Sequence, residues 1–154
     1  MSTRTNPMGR RLVIFYGPTG SGKTHTAEME YPAAKSIPAW EVKTSTDFLD
    51  RGLREAMTGG EAVILEDVDQ LCEECLTLLI EVCDGRAEYS ESGRHIPIKD
   101  GFRVVATSRF WDGDAKFSGY DRRIALLLKL VAGAETRECY NTPATIAATA
   151  GVYS

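Results

Sequence analysis

The sequence lacks the features of a membrane or secreted protein. No run of eighteen or more apolar residues occurs in its 154 residues, so it predicts no membrane-spanning helix. The first residues, MSTRTNPMGRR, contain no apolar stretch of the kind that precedes a signal-peptide cleavage site. The chain is too short for two domains of ordinary size, and its 43% hydrophobic content suits one core. We therefore expect a single cytoplasmic domain.

Histidine is scarce, which weakens the case for a zinc or redox site at the cysteines. The two histidines, His25 and His95, lie far in sequence from the pair Cys72-x-x-Cys75. Zinc sites usually combine two paired groups of ligands. The pair falls instead at helical spacing among leucines in LCEECLTLLIEVC. We expect these cysteines to be small buried residues of a helix, and a metal or redox site is the less favoured alternative.

An overall excess of positive charge is also missing. The formal net charge is −4, which argues against a passive nucleic-acid coat. The charge is unevenly spread, because residues 61–92 carry ten acids and one base, whereas residues 93–130 carry eight bases and four acids. Composition leaves open both a localised basic face and an ordinary mixed surface.

Apolar runs predict several strands. Three runs are expected to be buried strands, namely RLVIFY (11–16), AVILE (62–66) and FRVVAT (102–107). The run IALLLKLV (124–131) suits a helix or a strand by its periodicity, and its position favours a fourth strand.

Helical patterns and turn residues separate these runs. Helices are expected from about 22 to 31, in TDFLDRGLREAM before Gly59-Gly60, and at 70–83. Residues 32–46 are expected to be irregular, and residues 86–98 a hairpin with Ser92-Gly93 in its turn. The alternation indicates an α/β layered fold with a mainly parallel sheet. The expected organisation is a loose leader (1–10), one domain (11–131) and a tail (132–154).

The most specific motif is the segment GPTGSGKT. It matches G-x-x-x-x-G-K-[ST] at every fixed position and lies between a predicted strand and a predicted helix. Backbone N–H groups of such a loop surround phosphates, whereas an ordinary glycine-rich turn is the alternative. Lys23 is expected to reach the β- and γ-phosphates, and Thr24 to ligate Mg²⁺. The predicted nucleotide-binding residues are Gly17, Pro18, Thr19, Gly20, Ser21, Gly22, Lys23 and Thr24.

Two acidic residues follow the second predicted strand. Glu66 and Asp67 end the run AVILED, at the edge where the carboxyl ends of parallel strands meet. One carboxylate is expected to hold the metal and the other to polarise the attacking water. The alternative is a solvated acidic turn that caps the next helix.

Polar residues also follow the third predicted strand, which ends Ala106-Thr107-Ser108-Arg109. If this strand lies between the other two, Ser108 or Arg109 is placed to contact the γ-phosphate or the attacking water. The alternative is that both are loop residues without a catalytic role.

The order of these parts resembles the AAA+ class of P-loop ATPases over about residues 11–131. Within that class, VIFYGPTGSGKTHTA, LLIEVCDGRAEYSESG, VVATSR and YDRRIALL are similar to segments of the superfamily-three helicase domain of Rep proteins from small single-stranded DNA viruses. This resemblance implies a P-loop NTPase three-layer sandwich without a helical lid. It also implies ATP and Mg²⁺ as cofactors, single-stranded nucleic acid as a partner, and the host nucleus as an alternative location.

A second resemblance is to dynein-related or MoxR-type AAA+ ATPases. RGLREAMTGGEAVILEDV and GRAEYSESGRHIPIKDGFRVVAT are similar to segments of that branch, which implies remodelling of proteins. The residues after Val131 leave little room for the helical lid of that branch. A nucleotide-binding module that does not hydrolyse ATP is a further alternative.

The resemblance also implies assembly into a homo-oligomeric ring. Arg122 and Arg123 lie where a subunit of this class supplies an arginine finger to its neighbour, and a solvated or helix-capping pair is the alternative. Arg109 replaces the asparagine usual at its position. The hairpin lacks the lysine that helicases use on single-stranded DNA, so Arg94 or His95 would have to replace it.

Overall fold

The computed structural model describes residues 11–17, 22–108 and 118–139. The strands are β1 (Leu12–Tyr16), β2 (Lys35–Pro38), β3 (Ala62–Glu66), β4 (Glu88–Glu91), β5 (Arg94–Pro97), β6 (Arg103–Ser108) and β7 (Glu135–Glu138). The helices are α1 (Lys23–Glu30), α2 (Ser45–Phe48), α3 (Arg54–Gly59), α4 (Glu73–Cys83) and α5 (Ser118–Leu130). A kinked segment (Leu49–Leu53), in which Gly52 has a non-helical backbone, joins α2 to α3, and 3₁₀ turns lie at Ala39–Glu41 and Val68–Gln70.

Five strands form one parallel sheet in the order β2-β3-β6-β1-β7. The three predicted apolar strands supply its centre, and β6 lies between β1 and β3. The register pairs Tyr16 with Ser108 and Leu65 with Ala106. The carboxyl ends of the three central strands therefore meet at one edge of the sheet.

The central strands are apolar on both faces because helices cover both. In β1, Leu12 and Ile14 belong to the main core, which also includes α3, α4 and α5, whereas Val13 and Phe15 pack with Ala27 of α1. The result is three layers of helix, sheet and helix. The fold is that of a P-loop NTPase three-layer sandwich.

The prediction of a strand at 124–131 is wrong, because this segment lies in α5. Ile124, Leu127 and Val131 are buried at helical spacing, while Lys129 is exposed. The exposed lysine lets the helix place one apolar stripe against the core. A strand buried on both faces would have had to bury that charge.

The sheet contains two edge strands that the sequence did not predict. β2 lies in the segment expected to be irregular, and β7 lies in the segment expected to be a tail. β7 pairs with β1, and Arg137 of β7 lies over the ring of Phe15 at 5.5 Å. Both strands are four residues long and carry polar side chains, which suits sheet edges.

The hairpin and the helix with the cysteines agree with the sequence predictions. β4 and β5 pair antiparallel, and their turn has positive φ at Ser92 and Gly93, as a two-residue hairpin turn requires. Cys75 and Cys83 are buried in the main core. Burial raises the pKa of Cys75 to about 12, so this thiol is an inert core group. Over the described residues, no helix has the length and apolar character needed to span a membrane.

Candidate nucleotide site

The phosphate-loop motif begins at the end of β1 and ends in α1. The N–H of Gly17 donates to the carbonyl of Ser108 at 3.2 Å, which ties the start of the loop to the end of β6. Gly22 caps α1 in the left-handed region, with φ of 80°, and glycine adopts this conformation without strain. Lys23 is buried, and its ammonium group donates to the carbonyl of Gly17 at 2.8 Å. The predicted phosphate ligands Pro18, Thr19, Gly20 and Ser21 lie outside the described residues.

The structure brings the predicted metal ligands Thr24 and Glu66 together. Thr24 lies in the first turn of α1, and Glu66 is the last residue of β3. The hydroxyl of Thr24 lies close enough to the carboxyl group of Glu66 to lower its pKa. The acidic strand end therefore lies beside the helix that follows the phosphate loop.

Burial and nearby negative charge perturb Glu66. Desolvation raises the pKa of its carboxyl group above the ordinary value, and the charges of Asp67 and Glu28 raise it further. The hydrogen bond from Thr24 lowers it. Excess negative charge beside a phosphate loop is an arrangement that a cation would relieve.

Asp67 has an unusual backbone conformation. Its φ and ψ are 55° and 60°, the left-handed region that few residues other than glycine adopt, with aspartate and asparagine the usual exceptions. Its N–H donates to the side-chain oxygen of Thr107 at 3.0 Å. The neighbouring strand β6 thus fixes the point at which the chain turns after β3.

Ser108, predicted to contact the γ-phosphate or the attacking water, lies at the end of β6 between the two other strand ends. It is fully buried, and its hydroxyl oxygen has no hydrogen-bond partner among the described residues. Asp69 is 3% exposed, and its Oδ1 also has no partner within that part of the chain. Unpaired buried polar groups are rare in folded proteins and suit a site that a ligand completes. Arg109 lies outside the described residues.

The two arginines of α5 have different surroundings. Arg123 is half-buried, and its Nε donates to the carbonyl of Leu71 at 2.7 Å. The side chain of Arg122 is 71% exposed and lies 3.7 Å from Glu73. The predicted pair therefore consists of one residue engaged within the chain and one that faces outward.

The hairpin presents polar side chains away from the core. Tyr89 and Ile96 face inward and are buried, whereas Arg94 and His95 are exposed. The Nδ1 atom of His95 lies 3.1 Å from the Ser90 hydroxyl oxygen and 3.5 Å from a carboxyl oxygen of Glu88. Both residues proposed to contact a polymer therefore lie on the surface, beside acidic neighbours.

Sequence reasoning missed two residues of this site. Thr107 holds the N–H of Asp67, and Glu28 adds negative charge next to Glu66. A threonine directly after the apolar residues of a strand was a signal for the first. Nothing in the sequence distinguishes Glu28 from other surface acids of a helix.

Comparison with known proteins supports the fold. No protein-family model matches the sequence, and a search of curated proteins found no match. Among solved structures, the chain is similar to Hsp104 in a closed state with ATPγS and FITC casein, with a TM-score of 0.62 at 14% identity over 97% of this chain and 32% of the other. It is similar to a Hsp104-ADP complex from S. cerevisiae, with a TM-score of 0.60 at 12% identity over 97% and 32% of the two chains.

NtrX from Brucella abortus in complex with ATP gives a TM-score of 0.56 at 13% identity, over 84% of this chain and 33% of the other. The chain spans about a third of the length of these structures. They are AAA+ ATPases, and the likeness shows that this chain has the AAA+ type of P-loop fold.

Proposed function

We propose that this chain is a Mg²⁺-dependent ATPase module. A phosphate loop alone indicates binding of a nucleotide, and hydrolysis needs a second acidic site beside it. The proximity of Glu66 to Thr24 carries the proposal, since it places that acidic site beside the phosphate-loop helix. The solved structures with ATPγS, ADP and ATP support an adenine nucleotide.

The residues at the site fit Mg²⁺. This ion prefers oxygen ligands and commonly takes one or two carboxylates together with phosphates and water. Thr24 and Glu66 offer a hydroxyl and a carboxylate near each other. No group of three or more histidine, cysteine or acidic side chains suited to a metal occurs among the described residues. Bound Mg²⁺ would neutralise charge on the transferred phosphoryl group.

Each residue then has a role. The loop from Gly17 to Gly22 and Lys23 bind the phosphates, and Thr24 and Glu66 hold the metal. Asp67 is the group that polarises the attacking water, because it follows the metal-holding residue at the strand end. Ser108 donates to the γ-phosphate or to that water, which would give its buried hydroxyl a partner. Arg109 is proposed to act at the same phosphate.

The test is an ATPase assay on the wild type and three variants. Lys23→Ala should lose ATP binding and hydrolysis together. Asp67→Asn should keep Mg²⁺·ATP binding while turnover falls by about a hundredfold or more, the usual loss for a general base. Glu66→Gln should weaken binding only when Mg²⁺ is present. Wild-type turnover no higher than that of Lys23→Ala would overturn the proposal, and binding without turnover would identify a non-hydrolysing module.

We also propose that the energy is used on single-stranded nucleic acid, as in a replication helicase. The exposed Arg94 and His95 of the hairpin support this, together with the sequence resemblance to the Rep branch. Single-stranded DNA should stimulate hydrolysis, and the double variant Arg94→Ala/His95→Ala should lose the stimulation but keep the basal rate. Thr77→Ala, on the exposed face of α4, is the control and should change neither.

Remodelling of proteins is the second candidate. It is favoured by the structural likeness to Hsp104 in a structure that contains FITC casein. Casein in place of DNA in the same assay separates the two candidates. Stimulation by casein and indifference to DNA would support remodelling and overturn the helicase proposal.

The active unit is proposed to be a homo-oligomeric ring in which Arg122 contacts the nucleotide of the next subunit. The 71% exposure of its side chain supports this role. Turnover per subunit should rise with protein concentration as subunits assemble, and Arg122→Ala should lower turnover while ATP binding is kept. A rate per subunit that is independent of concentration, with a monomer in sedimentation, would contradict it.

A further inference from the structure

Arg123 joins α5 to the turn that follows the acidic strand. Its Nε donates to the carbonyl of Leu71 at 2.7 Å. Leu71 is fully buried, and Ile124 beside Arg123 is buried as well. The backbone on each side of this hydrogen bond is therefore held by a buried side chain, so the guanidinium group has a defined position.

The segment between Asp67 and Leu71 is one short rigid turn. The N–H of Gln70 donates to the carbonyl of Asp67 at 2.8 Å, and the N–H of Leu71 donates to the carbonyl of Val68 at 3.1 Å. Val68, within this turn, is fully buried in the main core. A shift of the Leu71 carbonyl would therefore move the backbone of Asp67.

Asp67 depends on such support because of its own conformation. Its left-handed backbone is less favourable than an extended or helical one by about 1 kcal/mol or more, so contacts around it must maintain it. The hydroxyl of Thr107 holds its N–H on one side. Arg123, through the carbonyl of Leu71, holds the other end of the turn.

We propose that Arg123 is a positioning residue for Asp67 of its own subunit. It orients the carboxylate that polarises water by fixing the 3₁₀ turn that begins at Asp67. The role rests on the proposed hydrolytic function. It separates Arg123 from Arg122, which lies next to it in sequence but faces solvent.

The first test separates rate from binding. Arg123→Ala should lower kcat by about tenfold to a hundredfold, the loss expected when a catalytic group is displaced by a fraction of an ångström to an ångström. KM for ATP should stay within about twofold, because no phosphate contact is lost. Arg123→Lys should recover much of the rate, since an ammonium group can also donate to the Leu71 carbonyl.

A matched control uses another arginine bonded to backbone carbonyls. Arg11 donates to the carbonyls of Val82 and Arg86 at 3.1 and 2.6 Å, at the opposite end of the strands from the site. Arg11→Ala should lower stability but leave kcat of the folded protein unchanged. An unchanged kcat in Arg123→Ala, or an equal loss in both variants, would overturn the positioning role.

The second test distinguishes action within a subunit from action on a neighbour. A mixture of Arg123→Ala and Asp67→Asn subunits should not recover activity, because each site then lacks either its carboxylate or its support. A mixture of Arg122→Ala and Asp67→Asn should recover, because some sites combine an intact Asp67 with a neighbour's Arg122. Recovery in the Arg123→Ala mixture would overturn the inference while leaving hydrolysis intact. Wild-type turnover at the level of Lys23→Ala would instead remove the proposed function itself.

Discussion

The two ends of the central strands differ in what surrounds their polar groups. We call the end where β1, β3 and β6 begin the amino edge, and the end where they finish the carboxyl edge. At the amino edge, Arg11 donates to two backbone carbonyls, and Gly60 and Gly101 bring their backbones into close contact. At the carboxyl edge, the Ser108 hydroxyl and one oxygen of Asp69 have no partner among the residues that the structure describes, and the pKa of Glu66 is raised.

This difference between the edges indicates that the amino edge of the strands serves stability and the carboxyl edge serves function. An unpaired buried polar group costs about 1–3 kcal/mol, so the carboxyl edge is less stable than the same packing with paired groups would be. A bound nucleotide and metal would supply the missing partners and stabilise the folded state. Substitutions at the amino edge should therefore act on folding, and those at the carboxyl edge should act mainly on turnover.

The largest expected effect is at the amino edge, in Gly101→Ala. Gly101 has φ of 96°, and a Cβ there would lie 2.6 Å from the carbonyl oxygen of Gly60. The unfavourable conformation and the overlap together should lower the free energy of unfolding by about 4 kcal/mol. Gly93→Ala is the control, because Gly93 has φ of 79° and open space around it. In urea denaturation, Gly93→Ala should lower the free energy of unfolding by only about 1 kcal/mol. Equal losses in Gly93→Ala and Gly101→Ala would contradict the close contact between Gly101 and Gly60.

Arg11→Ala should have the next largest effect. It leaves the carbonyls of Val82 and Arg86 without their donor, so the free energy of unfolding should fall by about 2 kcal/mol. ATP turnover of the folded fraction should not change, because these groups lie at the amino edge. Arg54→Ala, an exposed ion pair with Asp50, is the control and should cost less than about 1 kcal/mol. A loss of turnover in fully folded Arg11→Ala would contradict the claim that the amino edge affects stability and not turnover.

The sequence predicted the centre of the fold because that centre is governed by local pattern. The strands β1, β3 and β6 each have a continuous apolar stretch, and the hairpin turn has glycine at one of its two positions of positive φ. The edge strands β2 and β7 were missed because each has only one neighbour in the sheet, so it can be short and polar. α5 was mistaken for a strand because its apolar run is short, and only the exposed Lys129 reveals the helical face.

The sequence indicated the candidate site residues one by one but not the contacts between them. The motif indicated Lys23 and Thr24, and the strand ends indicated Glu66, Asp67 and Ser108. Contacts such as that of Arg123 with Leu71 join residues 52 positions apart. No local pattern specifies such a contact, because it depends on how α5 packs against the 3₁₀ turn.

At the carboxyl edge, Ser108→Ala should lower activity without lowering stability, the opposite of the result expected for Arg11→Ala. Removing a buried hydroxyl without a partner should leave the ligand-free protein as stable as the wild type, or more stable by less than about 1 kcal/mol. Turnover should nevertheless fall by about tenfold, because a donor to the reacting groups is lost. Ser90→Ala, on the exposed hairpin, should change neither quantity. A clear loss of stability in Ser108→Ala would mean that the hydroxyl is paired in the folded protein.

The smallest expected effect concerns the charge of Glu66. Desolvation, Asp67 and Glu28 raise its pKa in the folded state, so ionisation of this group opposes folding. The stabilisation that a raised pKa gives is complete at low pH, where the carboxyl group is protonated in both states, and is lost as the pH rises through the folded-state pKa. Glu66→Gln should therefore raise the thermal midpoint of the ligand-free protein slightly at pH 7, and the gain should vanish below about pH 4.

Glu74→Gln gives the matched contrast. Hydrogen bonds from the backbone N–H and the hydroxyl of Ser45 lower the pKa of Glu74, so ionisation of that group favours folding and its loss should lower the midpoint at pH 7. With Mg²⁺·ATP bound, Glu66→Gln should lower the thermal midpoint instead of raising it, because the wild-type carboxylate binds the cation and the glutamine does not. The effect of Glu74→Gln should keep its sign. If Glu66→Gln lowered the midpoint without ligand, or gained as much as the wild type from Mg²⁺·ATP, Glu66 would not be the metal-holding residue of this edge.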